Sequence, residues 1–289
     1  MNRIRIAFAT VTALLSSASV AHAIRPVTSQ GCGHVGAANP IYPSNPQWGP
    51  EVQGGAGVGI TATNPRAGNG SLELSASGNL ADWAFYRRNS ADAGGFGLLS
   101  MIDCLSFEWF RESLVTPTDV PWAAQTPVLR LYVNDNGVEN QLVWEAYYNN
   151  GGAPTVNDVW HTENLLSQSL WRWLPNNGTG ATNCALQPPL NGNPLTTFST
   201  AGWASSGCFS SGAFISAISV GVGSYWPYQY HGFVDNVQLG FAGQNQYAVN
   251  DNFELGITTT PEPASVILMA TGLLATVGAG WLRRRTRTA

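Results

Sequence analysis

The chain has 289 residues, of which only 10% are charged, against roughly a quarter in ordinary soluble domains. All 13 basic residues are arginine, and 32 glycines, 17 prolines and 11 tryptophans take the room that charge has left. Plentiful aromatic residues exclude a disordered charged tail, the lack of Ala/Glu/Lys/Leu heptads excludes a coiled coil or helical bundle, and a net charge of −4 without a basic patch in the body excludes a nucleic-acid partner.

Asn2-Arg3-Ile4-Arg5 opens the chain with a short positive region. An uncharged apolar run from Ile6 to Leu15 follows, and small residues lead to Ala21-His22-Ala23. That order is a secretory signal peptide with an A-x-A site for signal peptidase, so residues 1–23 are expected to be removed. The apolar run is too short to serve as a retained anchor. In the body, 24–260, Arg25, Arg66, Arg87, Arg88, Arg111, Arg130 and Arg172 stand against 16 acids, the chain's 17 less Glu262, a net charge of −9. Such a surface favours solubility and disfavours anionic polymers unless divalent cations bridge them.

Residues 24–55 are expected to form an irregular leader, because Asn39-Pro40, Tyr42-Pro43, Asn45-Pro46, Gly49-Pro50 and Gly54-Gly55 leave no room for a helix. From 56 to 258 short alternating segments are separated by Gly/Asn/Asp/Pro clusters, the rhythm of an all-β, antiparallel sandwich. Strands are predicted at 71–75, 81–87, 104–111, 128–133, 142–148, 214–222, 233–241 and 247–255, with one helical turn at 165–173.

Alternation assigns faces. Leu129, Leu131 and Val133 oppose Arg130 and Tyr132. Beyond the turn at Asn134-Asp135-Asn136-Gly137, Leu142, Trp144 and Ala146 oppose Val143, Glu145 and Tyr147. Likewise Leu105, Phe107 and Trp109 oppose Ser106, Glu108 and Phe110. If these strands share a sheet, its outer face carries Glu108, Phe110, Arg130, Tyr132, Glu145 and Tyr147. Rings stack on sugar C–H faces and charged groups bond hydroxyls, so such a face suits carbohydrate; a half-wet face with a structural ion pair reads the same. In 233–241, Asp235 falls on the side of the apolar Phe233, Val237, Leu239 and Phe241. A carboxylate there must capture backbone N–H groups or hold a metal, and calcium is the metal expected; no other cofactor is.

Four cysteines, Cys32, Cys104, Cys184 and Cys208, allow three pairings in an exported protein. Cys184 with Cys208 closes the shortest loop, and Cys32 with Cys104 would tether the leader; zinc competes, but no CxxC spacing supports it. Catalytic signals are thin. His34, His161 and His231 are scattered, and neither HExxH nor GxSxG occurs. Glu108 and Glu112, four apart on a strand, stand about 13 Å from one another, too far for glycoside hydrolysis. Glu108 with Glu145 across strands is the pair that a hydrolase or lyase would use.

Residues 265–282 carry no charge, and Arg283, Arg284, Arg285 and Arg287 follow. As a helix this run reaches about 27 Å, enough to cross the inner membrane once, with the arginines on the cytoplasmic side. Pro261-Glu262-Pro263 stands just before it. The three elements together resemble the PEP-CTERM sorting signal of exopolysaccharide-producing bacteria with a Gram-negative-type envelope. The resemblance implies that an exosortase, a membrane cysteine protease, recognises the tail and cuts near Pro261, Glu262 and Pro263. Phe233 to Phe241 together with Asn252-Phe253-Glu254 resembles the closing strands of concanavalin-like, lectin-type jelly rolls found in other PEP-CTERM proteins. The expectation is thus an exported surface or matrix protein, a non-catalytic carbohydrate-associated or structural module linked to exopolysaccharide. A polysaccharide-active hydrolase or lyase on the same sandwich is the alternative, and adhesion through an apolar patch a third reading.

Overall fold

A computed structural model of the chain describes residues 32–113, 125–173, 197–223 and 228–256. The signal peptide, the predicted membrane helix at 265–282 and Cys184 lie outside the described residues. Among those described, no helix is long and apolar enough to cross a membrane. Fifteen strands are described: β1 Asn39–Ile41, β2 Trp48–Gln53, β3 Gly57–Thr61, β4 Ser71–Ser77, β5 Trp83–Asn89, β6 Gly97–Leu98, β7 Ile102–Arg111, β8 Val128–Asp135, β9 Val138–Trp144, β10 Trp160–Asn164, β11 Leu170–Trp173, β12 Thr197–Phe198, β13 Phe214–Val222, β14 Gln229–Phe241 and β15 Val249–Phe253. Two short α-helices, α1 Ala146–Asn149 and α2 Thr200–Ser205, and a 3-10 turn at Leu99–Met101 complete the set.

The strands form two sheets. One has seven strands, ordered β1-β15-β14-β4-β3, with β7 on the other side of β14 and β10 beyond it. The other has eight, ordered β12-β11-β9-β8-β13-β5-β2, with β6 also on β13. Every pairing between strands is antiparallel except β1 with β15. The core between the sheets takes alternate residues from each strand, among them Leu72, Leu74, Leu105, Phe107 and Trp109 from one sheet and Leu129, Leu131, Val133, Leu142 and Trp144 from the other. The β8–β9 hairpin turns at Asn136 (φ 54) and Gly137 (φ 83). Positive φ at both positions matches the right-handed twist of the strands, which is why Asn-Gly sits there.

Three expectations are corrected. The leader is not irregular throughout, because β1 and β2 lie within it. Its prolines are tolerated since both strands are sheet edges, where a missing N–H costs no ladder bond, and Ile41 (1% exposed) and Trp48 (3%) pin them to the core. The helical turn at 165–173 is instead a turn followed by β11, where Leu170 faces the core and Trp171 the opposite side. Period two with two tryptophans in four residues is strand chemistry. The strand expected to run to 148 stops at Trp144, and Ala146–Asn149 coils into α1.

One buried cluster joins the two sheets. Asp251 of β15 is fully buried and accepts from the Trp48 indole of β2 at 2.7 Å and from Asn39 of β1 at 3.4 Å, and it pairs with Arg88 of β5. The Trp48 ring stacks on Tyr86 at 5.6 Å and meets Phe253 edge-on at 5.2 Å. A disulfide joins Cys32 to Cys104 of β7, 72 residues apart. Cys208 is disulfide-bonded as well, and no described cysteine is free. Replacing both Cys32 and Cys104 by serine releases a long closed loop and should cost about 4 kcal/mol in a chain-entropy account. Urea denaturation of the variant against the parent, both non-reduced, measures it.

Candidate functional site

The six residues expected on one outer face are divided between two. β7 belongs to the seven-stranded sheet, while β8 and β9 belong to the eight-stranded one. Glu108 and Phe110 therefore leave one side of the sandwich, and Arg130, Tyr132 and Glu145 the other. Tyr147 is on α1, 38% exposed, its ring edge-on to Tyr148 at 5.2 Å. Period two tells which way a side chain points from its strand, not which sheet the strand joins. Packed sheets lie about 10 Å apart, so Glu108 and Glu145, on opposite outer faces, do not flank a common substrate.

On the seven-stranded sheet a β-bulge decides the arrangement. Asn236 has φ 50, and the β14–β7 register shifts between Asp235 and Gln238. Before the bulge the inward residues are even-numbered (Tyr230, Val234), after it odd (Val237, Leu239, Phe241). Asp235 is thus opposite Glu108 on the outer side, not in the core as alternation implied. It is nevertheless fully buried. Its Oδ1 accepts from the N–H groups of Asn236 and Phe253, each at 2.9 Å, while Oδ2 has no partner. Burial raises its pKa well above the usual carboxylate range; the two N–H bonds oppose this, and Glu254 and Glu108 add to it. Glu108 accepts both Nε and Nη2 of Arg66 at 3.1 Å and the Thr162 hydroxyl at 2.9 Å, and Asn236 also donates to it. Glu254, at the end of β15, accepts from the Asn69 N–H at 2.6 Å. The side-chain oxygens of Asn236 and Asn252 are buried without partners too. No three His, Cys, Asp or Glu side chains converge on one point among the described residues, so a cation here would take its oxygens from Asp235 and the asparagines. Further along the same face, His231 lies between Glu73 (2.8 Å) and Glu112.

The outer face of the eight-stranded sheet is aromatic and cationic. Three small residues, Ala217, Ser219 and Gly221, run along its central strand β13 on this side, between β5 and β8. Larger side chains reach across them. Arg87 of β5 lies 3.8 Å above the Tyr132 ring of β8, and Arg130 of β8 lies 3.7 Å above the Phe85 ring of β5. A Cβ at Gly221 would stand 2.5 Å from Phe85, so this crossing requires glycine there. In register with Arg130 and Tyr132, Val143 and Gln141 of β9 lead to Trp171 and Trp173 of β11. Trp173 is half-buried, 5.4 Å from Arg130, and Trp83, also half-buried, meets Phe85 at 5.9 Å. Arg87 is tied to Glu139 (2.9 Å) and Glu51 (3.7 Å). Burial lowers the Arg130 pKa, and it pushes Glu145 up to about 7 against the pull of Arg130. Sequence reasoning missed Trp83, Phe85, Arg87, Trp171 and Trp173. The alternation of Trp83-Ala-Phe85 and of Leu170-Trp-Arg-Trp carried the signal.

A cleft of about 510 Å³ opens at one end of the sandwich over Trp109 and Trp144. Its polar groups are committed to one another: Trp144 donates to Gln168 (2.5 Å), and Gln168 (2.9 Å) and Trp109 (3.3 Å) both donate to Glu163.

Two sheets packed around a common core define a β-sandwich. Residues 259–285 match the PEP-CTERM protein-sorting motif. The motif implies processing by an exosortase and an exported, membrane-anchored precursor. Among curated proteins no sequence matches the chain. Among solved structures the chain is similar to a family 11 carbohydrate-binding module from Clostridium thermocellum in complex with a β-1,3-1,4-mixed-linked tetrasaccharide, at 15% identity over 68% of this chain and 91% of that one, with a TM-score of 0.39. The family 11 module of a cellulosomal cellulase from the same organism gives 16%, 68%, 88% and 0.37. A β-1,2-glucanase from Parabacteroides distasonis gives 13%, 68%, 23% and 0.34.

The His231 group carries a pH signature. Burial lowers its pKa, but bonds to Glu73 and Glu112 outweigh burial and raise it above the usual value. A raised folded-state pKa gives stability that is complete below about pH 6.5 and is lost as pH rises through the folded value. Melting temperatures from pH 5 to 9 should fall more steeply in the parent than in His231→Gln, in which the raised carboxyls of Glu145 and Asp235 still contribute a decline.

Proposed function

We propose that the chain is an exported, non-catalytic module that binds carbohydrate through the outer face of the eight-stranded sheet, at the cell surface or in an exopolysaccharide matrix. The observation that carries this reading is the crossed pair of stacks, Arg87 on Tyr132 and Arg130 on Phe85, flanked by the half-buried rings of Trp83 and Trp173. Aromatic rings offer faces to sugar C–H groups, and guanidinium edges offer donors to hydroxyls. Arginines already stacked on rings lose little freedom when a ligand arrives, so less binding energy goes into ordering them. The only glutamate pair that sequence offered for glycoside hydrolysis is split between the two faces, which removes the chief support for an enzyme. On a glycan array, the chain should bind a defined set of sugars saturably. Trp173→Ala should weaken that binding about tenfold, the scale of one stacked ring, and Trp160→Ala, on the other sheet, should leave it intact. The reverse pattern would move the site to the seven-stranded sheet, and no binding to any glycan would end the reading.

For the bulge at Asp235 and Asn236 we infer a structural calcium. The unpartnered buried oxygens of Asp235, Asn236 and Asn252 are acceptors without donors, which suits a hard cation. Burial favours the protonated form of the Asp235 carboxyl, and metal binding requires the proton to leave, so calcium should stabilise the fold more at pH 8 than at pH 5. Millimolar calcium should raise the melting temperature of the parent, with no rise in Asp235→Asn. An equal rise in both would show that calcium acts elsewhere.

A further inference from the structure

The two arginines of the carbohydrate-facing sheet have unlike surroundings. Arg87 pairs with two carboxylates, Glu139 and Glu51. Arg130, one row of the same face away from Tyr132, has no carboxylate within ion-pair distance among the described residues. Its Nη1 donates to the neutral amide oxygen of Gln141 at 3.3 Å, and its Nε is buried without a partner. At Arg66 and Arg172 the Nε–Nη2 edge is filled. Arg66 grips Glu108 with it at 3.1 Å on both atoms, and Arg172 brings it to Asn140 Oδ1 at 3.1 and 2.6 Å. A partly buried guanidinium whose Nε bonds nothing leaves a buried donor unsatisfied, a cost that an anion would relieve, and the edge to which that Nε belongs matches a carboxylate in plane and spacing.

We propose that this face takes an acidic polysaccharide, a chain of uronic-acid residues, with Arg130 receiving a sugar carboxylate beside the Trp173 ring. The inference rests on the carbohydrate-binding reading and narrows it. Phe85 and Trp173 flank the guanidinium on faces 3.7 and 5.4 Å away, so charge recognition and sugar stacking fall within one sugar's width. The body's net charge of −9 repels polyanions in general, so capture has to be made by a local site.

Glu145 is the residue that competes for Arg130. The groups around it are Arg130 of β8, Tyr148 of α1 and Trp171 of β11, while Glu51 of β2 acts on Arg130 from the far side and Arg87 of β5 is held by its own carboxylates. With a pKa of about 7, Glu145 is neutral in mildly acidic surroundings and leaves the guanidinium to a ligand. At higher pH it becomes an anion and opposes a second one. Uronate affinity therefore falls as pH rises through about 7.

The test uses the full chain in detergent, with EDTA present so that calcium bridges nothing. Polygalacturonate, alginate and glucuronan are each titrated against their carboxyl-reduced counterparts at pH 6 and pH 8, with polyglutamate as an acidic polymer lacking sugar. The expected result is at least one polyuronate bound tenfold or more tightly than its reduced form at pH 6, weakening at pH 8, with polyglutamate not bound. Arg130→Gln should bring the acidic and reduced polymers to equal affinity, Arg130→Lys should restore only part of the difference, and Glu145→Gln should abolish the pH dependence. Melting curves exclude unfolded variants, and the Glu145 and lysine variants carry the test should the Arg130→Gln protein fail to fold. Equal affinity for acidic and reduced polymers would overturn the inference and leave carbohydrate binding standing. Equal binding of polyglutamate would overturn it as mere charge adsorption. Binding of none of the polyuronates would overturn it as well, and only failure on the glycan array would also remove the reading beneath it.

Discussion

Asp251 is the buried charge on which the sandwich closes. It takes the Trp48 indole from one edge strand, Arg88 from its neighbour in the same sheet, and Asn39 from the edge of the other. A carboxylate with no exposed surface is tolerable only when paired and hydrogen-bonded, and removing one partner of such a pair typically costs about 3–5 kcal/mol. The constraint reaches beyond energy. Because its partners come from β1, β2 and β5 while Asp251 itself is on β15, the first and last strands of the fold must both be in place before the charge is satisfied. The charge is therefore fully satisfied only in the closed sandwich.

The outer face of the eight-stranded sheet shows how small residues in the middle of a sheet create a surface. Ala217, Ser219 and Gly221 leave a shallow channel along β13, and arginines from each side lie across it onto the opposite strand's ring. The channel is thereby lined with flat, held groups instead of mobile ones. The seven-stranded sheet shows a contrary economy of space, in which a single extra residue at Asn236 turns a carboxylate out of the core and then buries it beneath its neighbours.

Much of the fold was legible in the sequence, since the strand at 214–222 and the inward residues of β7, β8 and β9 follow from period two alone. What escaped was whatever period two does not encode. Sheet membership depends on contacts distant in sequence, so Glu108 and Glu145 looked like neighbours. The bulge resets the period at Asn236, so Asp235 looked like a core residue. Edge strands carry prolines, so 39–53 looked irregular. Of the proposed binding face, Arg130, Tyr132 and Glu145 were visible; Trp83 and Trp173 were not, because β5 and β11 join that face only through pairings between strands distant in sequence.

The place where the sandwich ends has a consequence for the protease that trims it. The last strand closes at Phe253, and the Pro-Glu-Pro tripeptide begins at Pro261. Even fully drawn out, the chain between them reaches at most about 29 Å. Phe253 is itself locked beneath Trp48 and Tyr86, so no slack can be borrowed from the folded part. An exosortase acting at that tripeptide on the folded chain would meet its substrate within about 29 Å of the last described strand.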